Sequence, residues 1–587
     1  MPSILSPNTI PDSFNEKHII TRDHVEGSSV DETDSTTSTT PSLLPANTDT
    51  KSGSPSQNSS VSSSSSPIIN HPNLLREKAE LSKSRNRPSN LESARINTSI
   101  RFHDTKDESR PSIFLFIFVN PLSGDCKGED LLNLPFQHFR PRRFPQVQVE
   151  IHNILDEKDR AMGIESIQLV ETMAKFNKLP PLDDKEGKQN SRISETVRTR
   201  HIHVWSAGGD GTVMSVFEML VHHRVDLNSL FFSCIPFGTG NDFSQVLGWG
   251  RTIPHPNILG KKLRYFEDLI TERLEKSEAA RLDIWQVEMT AHTSGYVRLA
   301  GPQRDDGHDA VEINSQEPQH TVPPSIVRKM CNYMSIGVQG YVGSGFEKHR
   351  AGNRWANMMV YASESAKWLF WRRFPSVTHF IEKIVYNNET VLVCPPPLEK
   401  NQPNQSEENE NTPKMTRNPI DFVIQNIPHI WGREVDLWGE AKYGLEVVEN
   451  RSKYTDSENW TPQLANDGKM EVMSIENTFS YLKKLANFRQ HVSRIGQFET
   501  PFEIIFREPQ DTKKKKSWWP FSRDNKFKRD NIICIMCDGE FYVLKDPKSL
   551  RFKRFAQIWT LGKLDERTKG RLVQDEQILN EQTTNSI

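Results

Sequence analysis

Three short stretches combine glycines with side chains that could handle an anion. They are NPLSGDCKG from Asn120 to Gly128, GGDGT from Gly208 to Thr212, and PFGTGND from Pro236 to Asp242. Glycines let a backbone approach phosphate oxygens and aim N–H groups at them. Thr212 stands where a helix should start, so its N–H and hydroxyl suit an anion. Asp210 is the odd member. A carboxylate in a phosphate cradle repels its ligand unless it holds Mg2+ or acts as a base. Phosphoryl transfer calls for cations on the phosphates and a group that orients or deprotonates the acceptor hydroxyl. The expected cradle is Asn120, Ser123, Gly124, Gly208, Gly209, Gly211, Thr212, Gly238, Thr239, Gly240, Asn241 and Asp242, with Asp210 as metal ligand or base. One such turn could simply be a tight turn closed by its own Asp side chain. Three at strand ends, each with polar side chains, are hard to explain that way.

The elements that must carry these turns are legible nearby. SIFLFIFV is a continuous apolar run ending in Asn-Pro, as in a strand buried on both faces. Ile202–Ser206 and Leu230–Ile235 predict two more strands, and Met214–Val221 a helix directly after the glycine turn. Strand, turn, helix, strand describes a wound α/β sheet, in which ligands sit at the carboxyl ends of the strands. From about residue 281 the pattern changes. VLVCPP, DFVIQNI, KMEVMSI, FEIIF and IICIMC are short apolar strands between polar loops, and they predict a second, β-rich sandwich-like lobe. The expected division is a disordered tail over 1–108, a catalytic lobe over 109–286, a β-rich lobe over 287–562 and a flexible tail over 563–587. Polar inserts are expected near 183–196, 302–319, 401–414 and 511–529.

The chain has 587 residues, 35% apolar and 26% charged, and its first hundred residues are rich in Ser, Thr, Asn and Pro. Such a segment buries too little apolar surface to offset its ordering entropy. With 74 Lys+Arg against 76 Asp+Glu there is no global field to steer the chain to nucleic acid. The six cysteines are scattered, which fits a reducing compartment, and Cys534 and Cys537 read as strand residues rather than zinc ligands. The N-terminus lacks the basic and apolar regions of a signal peptide. The apolar run SIFLFIFV is far short of the ~20 residues of a membrane span.

Rival phosphate motifs are missing. There is no GxxxxGK[ST] and no HRD–DFG pair, and Phe243 stands where a GxGxxG would need its third glycine. FVNPLSG, GGDGT and PFGTGNDFSQVLGWG instead resemble the catalytic domain of eukaryotic diacylglycerol kinases. GGDGT also occurs in NAD kinases and resembles a turn of phosphofructokinases, whereas the LGWG ending points away from sphingosine and ceramide kinases. Downstream, LEKSEAARLDIWQV, NYMSIGVQGYVGSGFEKHR, NIPHIWGREVDLWG, NDGKMEV and CDGEFYVL resemble the same family in order, over roughly residues 110–560. The resemblance implies ATP and Mg2+ as cofactors, with GGDGT and GTGND on the ATP phosphates. It implies diacylglycerol as acceptor and phosphatidate as product. It places Asp538 with the metal and Glu540 as a rival to Asp210 for general base. A bland reading of Asp538-Gly539 is a hairpin turn.

The sequence departs from the family at Gln339, where relatives carry an acidic residue, and in Glu347–Ala351. No paired Cys/His zinc modules precede the catalytic region. A sphingoid base, ceramide or another acylglycerol as acceptor, or an idle membrane adaptor, stays open. Recruitment to lipid is expected from KKKKSWWPF, in which Lys513, Lys514, Lys515 and Lys516 meet anionic headgroups and Trp518 and Trp519 the interface. The alternative for that stretch is a solvated charge run or a nuclear localisation signal. KWLFWRRF, Lys367–Phe374, reads as core packing. A cytoplasmic protein peripherally attached to membranes, with no transmembrane segment, is the expectation.

Overall fold

The computed structural model describes residues 110–563 apart from 125–126, 135, 142, 183–192, 239, 256, 259–263, 302–322, 350–353, 398–410, 431–432, 435–436, 442–446, 486–491, 510–526 and 528–529. The tail over 1–108, Cys126, Thr239, all or most of each expected insert, Lys513–Trp519 and residues 564–587 lie outside the described residues.

Four parallel strands build the first lobe: β1 (Ile113–Val119), β2 (Val147–Asn153), β3 (Ile202–Gly208) and β4 (Leu230–Pro236). Their order is β2-β1-β3-β4, with Ile113 opposite Val147, Phe114 opposite Ile202, and Ile202 opposite Leu230. Every residue of β1, β3 and β4 is buried, as their apolar runs require. Helices α1 (Glu157–Lys175) and α2 (Asp210–His222) cover one face, packing Ile164, Ile167, Val213 and Phe217 on Phe114, Phe116 and Phe118. The short helix α3 (Asp242–Val246) follows β4. Helix α4 (Arg264–Lys276) covers the other face, placing Phe266 and Ile270 with Ile113, Leu115 and Ile117. This is the wound α/β lobe that the sequence predicts. Helix α2 begins four residues earlier than the expected Met214, so Thr212 lies inside its first turn.

Strands that frame the second lobe include β5 (Glu278–Leu299), β6 (Ser325–Met330), β7 (Tyr333–Gly337), β8 (Ile381–Tyr386), β9 (Asp421–Gln425), β10 (Lys469–Ile475), β11 (Val492–Glu499), β12 (Phe502–Phe506), β13 (Ile532–Cys537) and β14 (Glu540–Gly562), and Glu389–Val393 pairs antiparallel with β8. One antiparallel run is β13-β7-β9-β10-β11, and another joins β8, β12, β14, β5 and β6. They share one apolar core that includes Trp285, Met334, Ile336, Phe422, Ile504 and Phe552. Trp368 and Phe374 of the Lys367–Phe374 stretch belong to that core, their rings stacked at 5.0 Å. Cys534 and Cys537 are buried in β13 and form no disulfide.

Strands β5 and β14 are unusually long, and they tie the lobes together. They pair antiparallel from Glu278 opposite Gly562 to Leu299 opposite Tyr542. At its far end β14 borders β4 in the first lobe, with Thr560 opposite Phe232. Residues 286 and 287, where the sequence suggests the change of lobe, lie within β5. Among the described residues no helix is long and apolar enough to cross a membrane.

Candidate active site

The three glycine turns leave the carboxyl ends of β1, β3 and β4, which are adjacent in the sheet. They interlock. The Asn120 side chain donates to Thr212 Oγ1 at 3.2 Å, and its own Oδ1 accepts the N–H of Leu122 at 3.0 Å. Ser123 closes the first turn through its N–H on the Asn120 carbonyl. Gly124 has φ +58, and a Cβ there would lie 1.7 Å from the Phe237 carbonyl oxygen. The N–H groups of Phe237 and Gly238 both donate to the Gly208 carbonyl, at 3.0 and 3.2 Å. A Cβ on Gly238 would sit 2.3 Å from Gly209 Cα. Only glycine permits so close an approach of two backbones. Gly211 is exposed at the start of α2, and a Cβ there would meet nothing within 4 Å.

Asp210 opens α2, one residue after the N-cap Gly209. Its Oδ2 accepts the N–H of Asp242 and its Oδ1 that of Phe243, both at 3.0 Å. The carboxylate of one turn therefore braces the next. Gly240 keeps clear of it, since a Cβ there would lie 3.0 Å from Oδ2. Asn241 holds a left-handed conformation (φ 56) and donates to the carbonyls of Gly238 and Arg251 at 2.7 and 2.8 Å. Asp242 is buried and accepts from Gln245 at 3.3 Å.

The second lobe closes on this site through the β6–β7 connection and the β13–β14 hairpin. The hairpin turn is Asp538-Gly539, with φ 45 and 84, so the turn signal describes the local backbone correctly. Yet the Asp538 carboxylate also accepts N–H groups from Cys331 at 2.7 Å, Asn332 at 3.0 and 3.3 Å, and Tyr333 at 3.0 Å. Burial pushes Asp538 up to about 7, against those backbone donors and with the charge of Asp210 adding to the rise. Burial also raises Asp210, opposed by the N–H groups of Phe243 and Asp242 and by the Asn332 amide. Two carboxylates, one from each lobe, thus feel one another, and Asn332 touches both.

Mg2+ usually takes one or two carboxylates, substrate phosphates and several waters. Asp210 is partly exposed beside the three turns and fits that need. Asp538 fits less well: its side chain is buried, and the N–H groups of Cys331, Asn332 and Tyr333 hold it in place. Among the described residues no three His, Cys, Asp or Glu side chains converge as a metal cage. Glu540 stands two residues beyond Asp538, more than a third exposed. Its Oε2 accepts the Tyr542 hydroxyl and lies 3.9 Å from Arg328 Nε.

Arg328, Asn332, Glu218 and Tyr542 were not singled out from sequence. For Glu218 a signal existed, as the lone carboxylate in the otherwise apolar run TVMSVFEMLV. Asn332 opens the NYMSIGV stretch and Tyr542 lies within CDGEFYVL, two residues from Glu540, whereas Arg328 has no local signal.

Comparison with known proteins agrees with this geometry. Residues 114–276 match the diacylglycerol kinase catalytic domain, and residues 329–516 match the diacylglycerol kinase accessory domain. The eye-specific diacylglycerol kinase of Drosophila melanogaster is 26% identical over 46% of this chain and 14% of its own length. Human diacylglycerol kinase theta is 26% identical over 40% of this chain and 18% of its own. Diacylglycerol kinase 1 of Arabidopsis thaliana is 22% identical over 67% of this chain and 40% of its own. The matched part is thus less than half of each of these relatives. A solved Bacillus anthracis structure, provisionally assigned as a diacylglycerol kinase, covers 77% of this chain and 97% of its own at 12% identity and a TM-score of 0.35. With both domain matches in order along one chain, the protein belongs to the diacylglycerol kinase family.

Proposed function

We propose that this chain transfers the γ-phosphoryl group of ATP to the free hydroxyl of 1,2-diacylglycerol, giving phosphatidate and ADP. The observation that carries this reading is the interlocked set of three glycine turns with Asp210 at its centre. The turns offer backbone N–H groups and the start of α2 to the phosphates. Asp210 would hold Mg2+, which supplies charge neutralisation on the transferring group. Glu540, on the rim contributed by the second lobe, is then the carboxylate left to take the acceptor proton. Asp538 ties the β13–β14 hairpin to residues 331–333 and so fixes where Glu540 stands. Most of the rate enhancement comes from positioning and electrostatics. The basic-aromatic stretch Lys513–Trp519 recruits the chain to anionic membranes.

The test is transfer from labelled ATP to diacylglycerol and to sphingosine in mixed micelles, with wild type beside Asp210→Asn and Asp210→Ala. Wild type should label diacylglycerol alone, and both variants should lose at least 100-fold in kcat, the low end of what a charged catalytic group contributes. Label on sphingosine would change the substrate, and near-normal turnover in both variants would sink the role of Asp210.

A further inference from the structure

Strand β6 carries Arg328, whose charge acts on two carboxylates that belong to different lobes. Its Nε donates to the Tyr542 hydroxyl at 2.8 Å and lies 3.9 Å from Glu540 Oε2. The Tyr542 hydroxyl in turn donates to that same Oε2. The second carboxylate is Glu218 of α2, whose Oε1 accepts the N–H of Lys329, the next residue, at 3.3 Å. Burial pushes the Glu218 carboxyl up, opposed by the charge of Arg328 and reinforced by that of Glu540. The guanidinium is mostly shielded, with 19% side-chain exposure against 38% for Glu540. Burial disfavours its charge, but Tyr542, Glu540 and Glu218 outweigh that and hold the proton more tightly than usual.

Two consequences follow from this geometry. Oxygen Oε2 of Glu540 is committed to Tyr542 and Arg328, whereas Oε1 has no hydrogen bond among the described residues. And α2, which begins with Asp210 in the phosphate cradle, is linked through Glu218 to the strand that carries Arg328. A carboxylate gripped by one oxygen and free at the other is aimed. A flexible carboxylate at the rim would sample many directions, and misplacement of about 1 Å can cost 100-fold in rate.

We propose that Arg328 and Tyr542 are positioning residues for Glu540, holding its Oε2 so that Oε1 faces the acceptor hydroxyl. This inference rests on the reading of the site as a diacylglycerol kinase. The acceptor O–H proton passes to Oε1, and the hydroxyl oxygen supplies the electron pair of the new bond to the γ-phosphorus. The bond from that phosphorus to the β–γ bridging oxygen breaks, and its electron pair leaves with ADP.

The experiment is a mutant cycle on the full chain with labelled ATP and diacylglycerol, comparing wild type, Arg328→Met, Arg328→Lys, Tyr542→Phe, Glu540→Gln and Arg328→Met combined with Glu540→Gln. Arg328→Met should lower kcat on the order of 10- to 100-fold, within the range of a general base held out of position, with both KM values nearly unchanged. Arg328→Lys should recover part of the loss, and Tyr542→Phe should lose a smaller share. In the Glu540→Gln background, Arg328→Met should add nothing, because a residue that acts only through Glu540 has nothing left to position. A structural role would instead multiply the two losses, and that overturns the proposal. Wild-type kcat in Arg328→Met overturns it as well. If Arg328→Met does not fold, Tyr542→Phe combined with Glu540→Gln carries the same test. A wild type that makes no phosphatidate overturns the functional reading itself, whereas an active wild type with a fully active Glu540→Gln overturns this inference alone.

Discussion

Asp210 reaches across to a neighbouring turn, and that changes what a substitution there measures. Asn would keep one acceptor oxygen for the N–H groups of Asp242 and Phe243 but lose the charge, and Ala would lose both. The gap between the two variants therefore separates bracing from electrostatics. Gly238 offers an independent probe of the cradle. An added Cβ would meet the Gly209 backbone at 2.3 Å and Asn241 Oδ1 at 2.8 Å, so Gly238→Ala must force the second and third turns apart. The expected outcome is a KM for ATP raised on the order of 10-fold or more, with a loss of thermal stability on the order of 1–3 kcal/mol, because the Gly209 backbone has to shift. Steady-state kinetics beside a melting curve checks this, and an unchanged KM would mean the turns do not clasp the nucleotide together. These turns were readable in advance, since glycines at strand ends leave a local signature. Arg328 leaves none, and the stretch beginning at Asn332 does not show that its amide meets Asp210: both depend on how β6 and its connection to β7 pack against the first lobe.

At the scale of elements, β2 and α1 are the instructive pair. The strand VQVEIHN alternates polar with apolar residues, and so it resembles a half-exposed strand. It is nevertheless interior. The His152 ring lies between Asp159 Oδ1 at 3.0 Å and Glu150 Oε2 at 3.5 Å, and His138 stands 3.8 Å from Glu150 Oε1. The polar side chains face one another inside the lobe, with His152 Nδ1 hydrogen-bonded to Asp159 Oδ1, which no period-based rule can see. Burial disfavours the charged ring, but the bonds and charges of Asp159 and Glu150 outweigh it and raise its pKa above 6.5. A raised value in the folded chain means that proton binding favours folding. The contribution is complete below pH 6.5 and is lost as pH climbs through the folded-state value. Melting followed from about pH 6 to about pH 9 should therefore decline more steeply in wild type than in His152→Gln. That variant should also be about 3–5 kcal/mol less stable at low pH, the cost of breaking a buried ion pair. Equal slopes would show that the ring is neutral.

The molecule as a whole has a formal net charge of −2, so any attraction to an anionic surface must come from a local patch. Four consecutive lysines at 513–516 supply one, each contributing about 1 kcal/mol near an anionic bilayer. Replacing all four with alanine should weaken binding to vesicles containing phosphatidylserine by on the order of 1,000-fold, with turnover on soluble micelles preserved. Unchanged sedimentation with vesicles would remove the patch from the account. The two-lobed outline was legible from composition and strand pattern. The length of β5 and β14 was not, because bulges at Lys545–Pro547, Pro547–Ser549 and Arg554–Ala556 break the alternation that would reveal one continuous strand.

Strand β14 also sets the order of events during synthesis. Its last residues complete the first lobe: Ser233 Oγ and Trp249 Nε1 both donate to the Leu561 carbonyl, and the N–H of Lys563 donates to Leu247. The partner Ser233 is made 328 residues earlier. At translation speeds of roughly 5–20 residues per second, the edge of β4 waits on the order of half a minute for its neighbour. The first lobe leaves the ribosome before the second and is sealed only after it, so completion of the first lobe reports that the second has been made.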